Sequence, residues 1–305
     1  LVRAALPLAA AGQADAAIRL LDEIIRVTAS MVDRDPHAAG PMNSARTLRA
    51  MVIGDYGTAY RAMMAAADVY ERAGSTRNAV EHWGGAGFCA LELGDLAAGE
   101  VLLRRTMERA AELRLEHVGA VARHNLGRRI GEAGRVEEGL ALEQAALASF
   151  EHHGNRRMMG LTRCHMAWLL LHRSRVAEAV PHVELALAEL EEHPASRMIA
   201  LATRAQLCLR SGEPERALAD ARAAIEGLEV LGRVQEGESL VRLTWAEALD
   251  AAGRPTEARE AIRTAHRRLL ERAEPIEDLE LRASFLGKVP ENATIVAHAE
   301  TWRDP

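Results

Sequence analysis

The chain has 305 residues and a net charge of −6, with 38 Lys+Arg against 44 Asp+Glu. That balance offers no basic field for neutralising phosphates and argues against nucleic acid as a direct partner. Hydrophobic residues make up 49% of the chain but aromatic ones only 3%, with Ala, Leu, Arg and Glu abundant, which favours helix and predicts an all-α fold without β-sheet. No apolar run is long enough to cross a bilayer, and the amino terminus lacks the basic, apolar and small-residue succession of a signal peptide, so a cytoplasmic location and no membrane partner are expected.

In chain order, helix-to-helix turns recur at Gly12, Gly54, Gly94, Gly134, Ser174, Gly212 and Gly253. Five residues after each stands a small residue: Ala17, Ala59, Gly99, Gly139, Ala179, Ala217 or Ala258. A sustained period near forty residues means stacked supersecondary units, and the small residue marks where the two helices of a pair come closest. In repeat six Gly212 ends the first helix as a left-handed cap and Pro214 starts the second, where its missing N–H costs nothing; Gly253 and Pro255 repeat the arrangement in repeat seven. Loops between repeats are marked at 35–41, 154–155, 193–194 and 274–275. Only eleven residues precede Gly12, so the array is expected to extend upstream. At the far end, segments 276–287 and 291–302 flank Val289-Pro290 and are predicted to cap the last repeat, with Phe285 and Trp302 as plugs. The expected organisation is thus a solenoid over 1–273 and capping helices over 274–305. Cys89, Cys164 and Cys208 each fall on a first helix among apolar residues and are expected to be buried free thiols.

Repeat three carries Trp83 and Gly87 four residues apart, Leu93-Gly94-Asp95 at the turn and Gly99 at the crossing. With the equivalents Asn125-Leu126-Gly127 and Gly139 in repeat four and Trp245-Ala246 and Ala258 in repeat seven, the chain resembles a tetratricopeptide-repeat (TPR) array. The resemblance implies a right-handed α-α superhelix of about seven repeats. The family's second small position is Ala66, Ala146, Ala186, Ala224 and Ala265, but Ile24 and Thr106 depart from it, and looser packing is expected there. The long repeats resemble sensor arrays of large bacterial regulators. The stretch 282–293 resembles the end of arrays attached to bacterial serine/threonine kinases with an ATPase module, so upstream kinase or ATPase domains of the same chain are implied partners.

Chemistry-bearing motifs are few. Gly85-Ala86-Gly87 with Ala90 nominally fits a dinucleotide fingerprint, but that motif needs a preceding strand, and here it lies inside a helix where the glycines serve close packing. Cys164, His165 and His172 suggest zinc, yet residues seven apart on a helix stand about 10 Å apart along its axis, too far to share one ion. No phosphate loop or nucleophile constellation occurs. The expectation is therefore a non-enzymatic module with no cofactor and no metal.

The resemblance puts the binding surface on the first helices, where a concave groove is expected to take a protein or peptide segment. Positions six before each turn are Leu48, Phe88, Arg128, Trp168, Gln206 and Glu247; neighbouring positions add Leu91, Asn125, His165, Leu171, His172 and Arg210. Phe88, Leu91, Trp168 and Leu171 would form an apolar strip around Arg128, suited to peptide or helix anchors, although Phe88 and Trp168 could equally fill contacts between first helices. Two other readings stay open: a small-molecule or signalling-peptide sensor controlling an attached ATPase, kinase or transcription regulator, and a scaffold for self-association.

Overall fold

The computed structural model describes residues 5, 8, 13–32, 38–232, 234 and 236–302. Gly12 and positions 35–37 of the first expected loop lie outside them. The described residues form fifteen helices and no strand: α1 (Ala14–Val32), α2 (Ala39–Ile53), α3 (Tyr56–Arg72), α4 (Thr76–Glu92), α5 (Leu96–Glu112), α6 (Glu116–Glu132), α7 (Val136–His152), α8 (Arg156–His172), α9 (Val176–Glu189), α10 (Pro194–Arg210), α11 (Pro214–Leu231), α12 (Glu238–Ala251), α13 (Pro255–Ala273), α14 (Leu279–Gly287) and α15 (Pro290–Thr301). The fold is an all-α, TPR-like helical repeat. Two compact units divide the chain, one of Leu1–Ala122 with Glu274–Phe285, the other of Arg123–Ala273 with Leu286–Pro305.

Helices of 17 residues dominate, from α3 through α8 and again at α10, about one turn beyond what the 34-residue form of the repeat allows. The turns between them are built alike. At Gly94 the glycine N–H donates to Leu91 O and the Asp95 N–H to Ala90 O, 3.0 and 2.8 Å, the paired bonds of a Schellman cap with its residue in the left-handed region. The same pair recurs at positions 54, 74, 114, 134, 154 and 174, so the backbone repeats every twenty residues although the sequence repeats every forty. Glycine fills this position except at Arg114 and Ser174, where φ is 54° and 56°. Asp55, Asp95 and Asn155 then cap the following helices, each accepting from an amide three residues on.

The small residues sit where the helices cross. Ala59, Ala179, Ala217 and Ala258 have no exposed surface. A Cβ on Gly139 would lie 2.5 Å from Gly127 O and 3.0 Å from Gly131 Cα, so α6 and α7 meet backbone to backbone. At Gly99 the space is taken by Leu91, with Gly87 O at 3.1 Å. Thr106, expected to loosen its contact, is fully buried and donates to Leu102 O at 2.8 Å. Opposite it stands Gly84, whose missing Cβ would lie 3.2 Å from the threonine methyl, so a glycine absorbs the extra volume. Gly85 and Gly87 likewise make room for Met63 and Leu103, and that packing accounts for the glycine-rich run in α4. All three cysteines are buried and free, and burial pushes the Cys164 thiol up to about 12.

Candidate functional site

In the first unit, Phe88 is half-buried and meets Tyr56 edge to face, with ring centroids 6.0 Å apart. Leu91 is buried beneath it as the side chain that fills the crossing at Gly99. Here Arg105 lies over the Trp83 ring at 3.5 Å. Ile276 is buried, and Glu277 faces Arg61 at 3.4 Å, so the segment after α13 returns to α3.

Leu48, half-buried on α2, is also in the first unit, and the other sequence-selected residues belong to the second. Leu171 is buried in the core, and His172 is exposed with its ring 5.4 Å from Trp168, in a T-shaped contact. Asn125 is half-buried on α6 and Arg210 is exposed at the end of α10. Trp168 is half-buried with Arg128 5.8 Å from its ring, and its buried indole Nε1 has no hydrogen-bond partner among the described residues. Gln206 is buried and donates to Thr244 Oγ1 at 3.0 Å and to Glu247 Oε2 at 2.5 Å. Arg128, Trp168, Gln206 and Glu247 thus occupy one register position on α6, α8, α10 and α12.

Both ends of this row meet the chain's own last helix, which packs on α13 and α12. Glu291, in the first turn of α15, pairs with Arg128 and stands 3.6 Å from Arg129. Both arginines also bind Glu132, with Arg128 Nε at 2.8 Å and Arg129 Nη1 at 2.9 Å. Burial works against the Glu132 carboxylate, but the two guanidiniums outweigh it and hold its pKa down at about 2. At the other end of α15, His298 Nε2 is 3.6 Å from Glu247 Oε1 and its ring stacks on Trp302, which packs against the Ala205, Cys208 and Leu249 cluster. Phe285 is buried as well, so both expected plug residues lie against the helical core.

One helical turn before Arg128, a second polar cluster lies deeper. Glu143 on α7 is fully buried; His124 Nδ1 on α6 lies 3.0 Å from its Oε2 and His165 Nδ1 on α8 lies 2.9 Å from its Oε1. Thr162 Oγ1 is 3.1 Å from His124 Nδ1. A carboxylate only accepts, so both imidazoles are held with the proton on Nδ1. Burial disfavours the Glu143 charge, yet the two histidines carry its pKa below the usual carboxylate range; burial in turn pushes His165 below its usual value. The three side chains are a two-histidine, one-carboxylate set with ligand atoms within 4.8 Å of one another. The rings, however, lie parallel within 3° at 4.3 Å between centroids. An ion in the plane of one ring would sit about 3.5 Å out of the other's, a stacking thickness, whereas metal–nitrogen bonds are about 2.0 Å long and follow the in-plane lone pair. The arrangement suits shared protons, not a shared ion. Sequence reading missed Glu143 and His124: each looks like an ordinary helix-surface residue until three helices are brought together.

No protein-family model matches the chain, and no curated protein matches its sequence. Among solved structures, the Rap protein complexed with Competence and Sporulation Factor matches at a TM-score of 0.53 and 13% identity, covering 99% of this chain and 98% of that one. BtubC (BKLC) from P. vanneervenii matches at a TM-score of 0.46 and 16% identity, covering 82% and 88%. The Rap likeness places the chain in the TPR-like class by fold.

Proposed function

We infer that the second unit is a binding module that takes a protein or peptide segment across the first helices of repeats four to seven. The observation that supports this most is α15: a helical segment of 12 residues touches the register row at Arg128 and at Glu247, with carboxylate–guanidinium pairing at one end and imidazole–carboxylate contact at the other. Its partner chemistry is that of helix-in-groove recognition, with arginine and tryptophan as anchors. The Rap structure, which holds Competence and Sporulation Factor, gives an instance of this fold type carrying a bound factor. On this reading the chain performs no reaction of its own and serves a regulatory host protein, as the resemblance of its closing stretch implies.

Selection of displayed random peptides on the full chain tests the reading. Selected peptides should bind the wild type and lose about 2 to 4 kcal/mol on an Arg128→Ala, Trp168→Ala double variant of unchanged helical content. Peptides that bind both proteins equally would place recognition elsewhere, and ATP turnover that follows the purified protein would end the non-enzymatic reading.

A further inference from the structure

Two contacts join α6 to α8 one helical turn apart. His124 stacks on His165; four residues on along α6 and three along α8, Arg128 faces the Trp168 ring. Residues so spaced share a helix face, so the buried stack underlies the Arg128–Trp168 part of the row. Leu169, in the space left at Gly131, packs the same two helices.

The charge inside the stack changes with each proton. With both imidazoles neutral, the fully buried Glu143 carboxylate is a net negative charge between them. A first proton neutralises it. A second makes two parallel imidazolium rings, 4.3 Å between centroids, that share one carboxylate. Like charges so close in a buried site oppose one another strongly. Burial first, then His124, outweigh Glu143 in holding His165 below its ordinary value; Arg128, itself paired with Glu132 and Glu291, adds a smaller share of the same sign. On the other helices packed against α8, charged groups have partners of their own: His182 on α9 faces Arg163 and Glu178, and Arg204 on α10 pairs with Asp220 and Glu184.

We propose that the His124–Glu143–His165 cluster is a proton gate for the binding row: it holds with one added proton or none, and a second parts α8 from α6 and so separates Trp168 from Arg128. The proposal rests on the binding reading above for what the gate releases, a protein or peptide segment lying across α6 and α8. The second proton comes from solvent and goes to Nε2 of the ring still neutral, since Nδ1 of each ring is committed to Glu143. The closed state excludes that proton, whereas His165 in an opened contact takes it near the ordinary histidine value of about 6.5. Closing is therefore unimpeded above that pH and weakens, by up to about tenfold per pH unit, below it. Repeat arrays hold by nearest-neighbour contacts, so α8 should open before α12 and α13 do.

Native-state amide exchange of the full chain at stepped pH reads the gate without a ligand. Protection in α8, corrected for the intrinsic exchange rate, should fall by up to about tenfold per unit between pH 6 and 5 while α12 and α13 lose little. His165→Gln should remove that slope, and His172→Gln and His182→Gln should keep it. A second measurement needs no variant: in wild type with carbon-13-labelled histidine, the two stacked rings should titrate as a coupled pair, in steps at least about one pH unit apart. Coincident steps, a slope kept in His165→Gln, or α8 and α12 losing protection in parallel would overturn the gate. So would cobalt(II) at one equivalent shifting both rings and abolishing their titration, since the cluster would then hold an ion. A displayed peptide that needs Arg128 and Trp168, added at about a hundred times its dissociation constant, should raise α8 protection about a hundredfold and move its opening to lower pH. Such a peptide bound with α8 opening unchanged would overturn the coupling and leave the binding reading intact. Absence of any peptide that needs this row would instead overturn the binding reading, and with it the segment as what the gate releases.

Discussion

Two buried charge clusters stand one turn apart on α6, and they are closed in different ways. The His124–Glu143–His165 cluster is sealed by α6, α7 and α8, consecutive helices of the stack, with each histidine on its own carboxylate oxygen. The Arg128–Arg129–Glu132–Glu291 cluster is completed by α15, which reaches α6 only because the chain returns after repeat seven. Losing the first opens the repeat core; losing Glu291 removes one contact of a terminal helix that Ile295 and Trp302 also hold. Burial alone does not separate structural polar groups from exchangeable ones. What separates them is whether the last partner comes from consecutive helices of the stack or from the terminal helix.

The largest effect should come from Glu143→Ala. It strands two buried N–H donors, each costing about 1 to 3 kcal/mol unpaired, so a loss of roughly 3 to 5 kcal/mol is expected in urea unfolding. Glu291→Gln should cost far less of the global stability, and equal losses would erase the contrast between the clusters. Gly139→Leu should follow, at about 2 to 3 kcal/mol, because its side chain would meet the backbone of Gly127 and Gly131. Gly99→Ala should be milder than Gly139→Ala, since at Gly99 it is chiefly the Leu91 side chain that must move; thermal melts of the five variants order them.

The clusters should also separate along pH. His165 is depressed by burial and Glu143 by its histidines, so the native state holds fewer protons than the unfolded chain once pH falls below about 6.5, the ordinary histidine value. Stability from this cluster is full above that pH and declines as pH drops, first through the imidazole and then through the carboxylate. Glu132 keeps its charge down to about 2, so its contribution is lost only between the ordinary carboxylate value and that point. His165→Gln should flatten the upper part of the acid limb measured by denaturation at stepped pH; His82 and His182, also depressed by burial, supply slope that remains. An unchanged slope between pH 7 and 5 would remove the proton-sharing account.

The repeat architecture was legible because turns are written in residues: glycine for the left-handed cap, Asp or Asn for the next N-cap, Ala or Gly for the crossing. The sequence reading did not mark the turn at Gly74, although it lies at the midpoint between Gly54 and Gly94. The one at Arg114 was not, since nothing in an arginine announces a positive φ and only the twenty-residue rhythm of the backbone requires it. The register row was legible in part: Arg128 and Trp168 are adjacent as the spacing predicts, whereas Leu91 and Leu171 are core. Glu291 could not be found this way, because its partners lie some 160 residues earlier in the chain and only the folded return of α15 joins them. The smallest predicted effect follows from the same rhythm. Arg114→Gly and Ser174→Gly should each stabilise by about 0.5 to 1 kcal/mol, relieving the left-handed strain, which paired thermal melts would resolve.

Native-state amide exchange, read helix by helix on the wild type and Glu291→Gln, tests the central claim most directly, since sub-global opening shows as protection lost in one contiguous unit. The account predicts that α15 already opens more readily than α13 in the wild type, and that the substitution lowers protection in 290–301 about tenfold or more while α6, α7 and α8 keep theirs. Equal loss across α6 to α8, or no change in α15, would contradict it.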